Sequence, residues 1–134
     1  GDTMGFTTIG VKLINPESPR LTCDARLLID TGALYSIVPA HLLEAIKLKR
    51  KRSQRFTLAD GKSITRWVSD VLFTYGDYEG AAPVIFGEQT DKPLLGVVTL
   101  EALGLEIDPI SHELRPAPLL LLSLGKNEII LRYC

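Results

Sequence analysis

The sequence predicts an all-β domain relieved by one or two short helices, and three observations carry that expectation. Hydrophobic residues alternate over short runs, as in Ile9–Leu13 and Val71–Phe73–Tyr75, which is the period-2 pattern of half-buried strands. Turn-forming clusters follow at short intervals: Asn15–Pro19, Ala59–Lys62 and Gly76–Gly80. Helical patterning is confined to the residues after Pro39 and to Thr99–Leu103.

Length and composition bound the rest. A chain of 134 residues reads as one domain large enough to bury a core without staples. Hydrophobic residues make up 46% and charged residues 23%, which excludes a disordered chain. A formal net charge of -1 argues against wholesale attraction to nucleic acid or acidic lipid. The longest apolar run, Leu119–Leu122, is far too short for a membrane span, and no secretory leader is legible. Cys23 and Cys134 read as a reduced pair, so a cytoplasmic location is expected. Residues 1–3 read as an expression remnant and residues 4–134 as the domain.

The first strand is expected over Gly5–Leu13 and the second over Arg20–Ile29, paired as a hairpin around Asn15–Pro19. The second becomes continuously apolar at Leu27-Leu28-Ile29 and runs into Asp30-Thr31-Gly32-Ala33. An acid among apolar neighbours must be hydrogen-bonded, protonated or paired. Pro39 suits the first turn of a helix, with Ser36 or its neighbours as caps and Leu42, Leu43, Ile46 and Leu48 on its apolar face. Lys47, Lys49, Arg50, Lys51, Arg52 and Arg55 then form a basic run with little aromatic interleaving. It reads as a solvated loop leaving the helix; the other readings are a nucleic-acid patch and a preference for an acidic substrate or partner near the cleft.

Phe56–Leu58 and Ser63–Val68 flank Asp60-Gly61, a strong hairpin signal. Trp67 serves equally as core or as the wall of a cleft. Pro83–Phe86 is apolar, and Pro93 opens Leu94-Leu95-Gly96. A short helix is expected at Thr99–Leu103, stopped by Gly104. Leu105–Asp108 and Leu114–Pro116 read as a small hairpin. His41 and His112 read as surface residues, and no two of His, Cys and Asp stand at zinc spacing. Asp108, the other carboxylate weighed as a partner for Asp30, lacks the Thr-Gly context. Apolar runs at Leu119–Leu124 and Ile129–Leu131 would be an aggregation hazard if left open.

DTGALYSIVP and LLGVVTLEALGLEIDP together resemble the retropepsin-like aspartic proteases, closest to their bacterial and archaeal members, over roughly Ile9–Pro116. The resemblance implies a closed, pepsin-like half-barrel acting as a homodimer, with 117–134 as an interface tail. It implies an endopeptidase in which Asp30 from each of two chains shares a proton and activates water. Thr31 would brace the loop across the dimer, and Gly32 would offer its amide to the carboxylate. Leu58, Ala59, Asp60, Gly61 and Lys62 would form a flap over an extended peptide, and Ala33, Ile37, Trp67 and Ile85 the apolar walls. Val97 departs from the polar residue that family members often carry after the glycine. No cofactor or metal is implied. The expected partners are a second copy and an extended peptide or protein substrate, with no nucleic acid and no membrane. The alternative is a non-proteolytic peptide-binding or dimerisation module of the same fold.

Overall fold

Two antiparallel strands, β1 (Thr8–Ile14) and β2 (Thr22–Ile29), form the expected hairpin, pairing Thr8 with Leu28 and Ile14 with Thr22. Alternation places Ile9, Val11 and Leu13 inward beside Ala25, Leu27 and Ile29. The turn between them is held by Asn15, a buried polar residue whose amide donates to the Ile46 carbonyl at 2.9 Å and whose side-chain oxygen accepts the Glu17 N–H. The computed structural model describes residues 7–118, 121–124 and 128–131. Residues 1–6, which include the expected remnant and the Gly5–Phe6 start of the first strand, and residues 119–120, 125–127 and 132–134 of the tail, with Cys134, lie outside them.

The chain continues through β3 (Ser36–Pro39), α1 (Ala40–Ala45), β4 (Arg52–Thr57), β5 (Ser63–Tyr75), β6 (Tyr78–Gly87), β7 (Leu94–Leu95), α2 (Val97–Leu103), β8 (Leu105–Ile107) and β9 (Leu114–Pro116). Pro39 ends β3 and stands at the N-cap of α1, one residue ahead of the first turn expected for it, and Ser36 is not a cap: it is buried in β3. Gly104 ends α2 in the left-handed conformation at φ 74°, which glycine adopts without steric cost. Strands β8 and β9 pair with each other as expected. Strands β10 (Leu121–Leu124) and β11 (Glu128–Leu131) pair with each other within the chain, and with no other described strand.

The closed all-β pepsin-like half-barrel is not what forms. The fold is mixed α/β: a seven-stranded sheet in the order β1-β2-β7-β3-β6-β5-β4, not closed into a barrel, with two helices packed on it. Two of its pairings, β2 with β7 and β3 with β6, are parallel, and parallel neighbours require crossovers rather than hairpins. A further pairing of β1 with β5 spans only Lys12–Ile14, so the sheet folds over on itself while Thr8–Val11 keep that edge free among the described residues. Strand β4 lies beyond β5 as an open edge. The helices belong to the core: Leu43 of α1 and Leu100 and Leu103 of α2 are buried against Val38, Phe73, Val84 and Leu95.

The other face of the sheet carries a lateral row. Arg52 pairs with Val68, Val68 with Ile85, Ile85 with Ile37, and Ile37 with Leu94. Paired residues share a face. Val68 and Ile85 are buried at 0% and 5% exposure, yet neither belongs to the main core cluster. The sheet therefore has a second, smaller apolar surface.

Candidate functional site

The DTGA loop is built mainly from backbone. Asp30 N–H donates to the Leu95 carbonyl at 3.0 Å, and Ala33 N–H returns to the Asp30 carbonyl at 3.1 Å. The Asp30 carboxylate accepts the Gly32 N–H at 2.9 Å, the local turn that short acidic side chains favour. The loop then caps α2. The Val97 and Val98 N–H groups donate to the carbonyls of Ala33 and Leu34 at 2.9 and 3.1 Å, which satisfies two orphan donors of a helix that has no side-chain cap.

Behind the loop, the buried Ser36 hydroxyl accepts the Gly96 N–H at 3.0 Å and meets the Thr99 hydroxyl at 2.5 Å. A methyl at Gly96 would stand 2.7 Å from the Leu34 oxygen and from two backbone atoms of Tyr35. Gly96 is thus the close-approach residue expected beside the loop. Val97 anchors the helix through its backbone, with no polar side chain needed.

A recess of about 260 Å³ brings Asp30 and Thr31 to the same wall as Ile107, Asp108 and His112. Asp108 is not a second acid that could share a proton there. Its Oδ1 accepts the Ile110 and Ser111 N–H groups, and its Oδ2 accepts Arg115 Nη1 at 2.8 Å. Those two backbone bonds, followed by the charge of Arg115, hold its carboxyl below the usual carboxylate range. His112 is a turn residue at φ 60° whose N–H donates to the Asp108 carbonyl. Among the described residues no aspartate dyad forms, and no three of His, Cys, Asp and Glu gather as a metal site would require. The expectation of an aspartic endopeptidase is therefore corrected: neither the fold nor a catalytic cluster supports it. Asp30 is half-buried and Thr31 and Gly32 are exposed, in a turn closed by the Gly32 N–H on the Asp30 carboxylate.

The residues expected around the peptide are divided between surfaces. Ile37 and Ile85 lie side by side on the second apolar face with Val68. Trp67 is 47% exposed, and strand alternation turns it to the face opposite Val68. It is neither core nor a neighbour of Ile37 and Ile85. Leu58 is 41% exposed at the start of the β4–β5 turn. That turn is fastened by Leu58 N–H to the Lys62 carbonyl at 2.7 Å, Lys62 N–H to Asp60 Oδ1 at 2.9 Å, and Gly61 at φ 87°. Ala59, Asp60, Gly61 and Lys62 are all exposed at its tip.

Sequence reasoning missed the residues that join these parts. Phe56 of β4 packs edge-on against Tyr35, with ring centroids 6.0 Å apart and planes at 80°, the favoured aromatic geometry. This contact ties the hairpin to the segment following the DTGA loop, where Leu34 is 57% exposed. Phe56 pairs with Ile64, so both share the hairpin's inner face with Val68. The alternation of Gln54, Phe56 and Leu58 was the available signal for Phe56; Tyr35 carried none.

At its base the hairpin is fixed by a bidentate ion pair. Arg66 Nε and Nη2 donate to Asp91 at 2.7 and 2.8 Å, and both side chains are 12% exposed. The hydrogen bonds from Arg66 hold the Asp91 carboxyl below its ordinary range, and the same pairing raises the guanidinium. Asp91 also accepts the Glu88 N–H, so the loop after β6 is bound to β5.

The basic run is partly neutralised. Arg50 bonds Glu44 at 2.7 Å and lies 4.5 Å above the Phe86 ring, and Arg52 bonds Asp70 at 3.2 and 3.3 Å. Among the described residues no ion pair forms at Lys47, Lys49 or Arg55. Burial, followed by the charge of Asp24, pushes the Cys23 thiol up, which disfavours the reactive thiolate. No helix among the described residues is long and apolar enough to cross a membrane.

Compared with known proteins, the chain matches no family model and no curated protein sequence.

Proposed function

We propose that this chain is a non-catalytic binding module, of mixed α/β fold, for an extended polypeptide segment laid along the β4–β5 hairpin. The observation that carries the reading is the hairpin's inner face. On that face the apolar Phe56–Ile64 pair nearest the turn is followed by the polar Gln54–Arg66 pair and then by Val68, which neighbours Ile85 and Ile37, while Leu34 and Leu58 are exposed. An extended chain presents every second side chain to one side, so a ligand with alternating apolar residues fits a wall of this kind. Asp30 has no chemical role in it.

The reading includes a second copy of the chain. Strands β10 and β11, carrying Leu121, Leu122, Leu124, Ile129, Ile130 and Leu131, form a two-stranded sheet with no further described partner. An isolated hairpin is marginal in water, and pairing with its own copy across a two-fold axis would supply what it lacks.

Fluorescence anisotropy with a panel of alternating apolar peptides tests the first part. Binding that weakens about tenfold or more, ~1.4 kcal/mol, in Phe56→Ala supports it; a panel that never binds rejects it. Sedimentation over a concentration series tests the second, which a monomer at every concentration would reject.

A further inference from the structure

Strand β4 is both an open sheet edge and the continuation of the basic run. It pairs with β5 alone among the described residues, so the N–H and C=O groups along its other side have no strand partner. Six of the fifteen Lys and Arg residues lie between Lys47 and Arg55, while the rest of the chain holds nine against sixteen Asp and Glu. Arg52 and Arg55 stand on β4 and the other four precede it; Arg50 is paired with Glu44, and Lys51 and Arg52 with Asp70, so six cations at and ahead of this edge are met by two carboxylates among the described residues. Along β4 the half-buried Arg52, Gln54 and Phe56 alternate with the exposed Ser53, Arg55 and Thr57.

From this juxtaposition we propose that the polypeptide bound along the hairpin is acidic, and that it docks as an added strand on the free edge of β4. The proposal rests on the binding function above and names its ligand class. An added strand would place alternate side chains beside Phe56 on the inner face and the intervening ones beside Arg55 on the outer face. Opposite charges on neighbouring strands attract, whereas like charges repel, so the outer residues of the ligand are Asp or Glu. Lys49 precedes the strand with no ion pair among the described residues, whereas Lys51 lies 3.9 Å from the Asp70 carboxylate. Main-chain hydrogen bonds supply affinity in this mode and the side chains supply selection. A free edge continuous with a cationic field fits a peptide better than nucleic acid, whose backbone has no groups to continue a sheet ladder.

The test is anisotropy of the full chain with two labelled peptides of identical apolar alternation, carrying Glu or Gln at the intervening positions. A third and a fourth peptide repeat the Glu sequence with N-methyl groups on alternate amides, in the two possible frames. The expected result is that the Glu peptide binds about tenfold tighter than the Gln peptide at low salt. The gap should narrow as salt rises and vanish in the double variant Lys49→Glu, Arg55→Glu. One N-methyl frame should lose binding and the other keep it, since only alternate amides face the edge.

Equal affinity for the Glu and Gln peptides overturns the acidic class while leaving the binding function standing. Equal tolerance of both methyl frames overturns strand addition. A single-stranded oligonucleotide that displaces the Glu peptide and loses affinity in the double variant makes the edge a nucleic-acid surface instead. If no peptide binds, the binding function itself fails, and the cations are the edge protection that open strands commonly carry.

Discussion

The DTGA loop and the β4–β5 hairpin are both turns that project from the ends of strands, and they are fastened in opposite ways. The loop is held on every side by backbone bonds, to Leu95 before it and to α2 after it, with Ser36, Gly96 and Thr99 locked behind. The hairpin is held at two points, the Tyr35–Phe56 contact and the Arg66–Asp91 pair, and leaves a strand edge and apolar side chains open. A distinctive motif can therefore mark a structural junction, while a surface suited to recognition is made of residues with no motif at all.

The largest effect should come from the loop's backing. In Gly96→Ala the new methyl would meet three backbone atoms at 2.7 Å, and backbone cannot rotate away as a side chain can. Urea unfolding should report a loss of about 3 kcal/mol, the upper end for overpacking. Ser36→Ala should cost about 2 kcal/mol, because the Gly96 N–H loses its acceptor and the Thr99 hydroxyl its partner in a buried setting. A tolerated Gly96→Ala would mean that the loop is no more rigid than the hairpin.

Next is the hairpin's base. Removing one member of a well-buried ion pair costs about 3–5 kcal/mol. The 12% exposure of both side chains here lowers the expectation for Asp91→Ala to about 2 kcal/mol. The pH dependence has a definite sign. The Asp91 carboxyl lies below its ordinary range in the folded protein, so its stabilisation is present above the unfolded value near about 3.9 and is lost as pH falls through the folded value. Asp91→Asn should therefore lose stability at neutral pH and show a shallower further loss on acidification than the parent. Parallel acid-unfolding curves would show that the ion pair does not anchor the hairpin.

How much of this was legible in the sequence depended on range. The β1–β2 hairpin, the start of α1 just after Pro39, the Gly104 stop and the β8–β9 hairpin rest on residues a few positions apart, and local pattern sufficed. Alternation does not distinguish parallel from antiparallel neighbours. The parallel pairings of Leu94-Leu95 with β2 and of β3 with β6 join segments dozens of residues apart, so the mixed sheet and its failure to close were not visible. The site followed the same rule. Asp30 stood out because its motif is contiguous, and its apolar approach suggested a buried acid; Gly32, two residues on, supplies the hydrogen bond that removes that need. Arg66 and Asp91 are twenty-five positions apart, and each alone looks like an ordinary surface charge. Trp67 drew attention by residue type, but its face is set by the register of β5 against β4.

The smallest effect is expected where the motif is most conspicuous. In Asp30→Asn the amide oxygen can still accept the Gly32 N–H, and the carboxylate makes no other hydrogen bond among the described residues. What is lost is the charge on that bond at a half-exposed position, which should change stability by no more than about 0.5 kcal/mol. Peptide affinity should stay the same, because Asp30 contributes nothing to the hairpin's inner face. Asp30→Ala removes the acceptor altogether and should cost about 1 kcal/mol, in the range of a lost local cap. The two variants together separate the turn from the charge. If Asn is as costly as Ala, the ionised carboxylate itself is required, and the loop is more than a junction. If Asn is neutral and Ala is not, the aspartate is present for its shape.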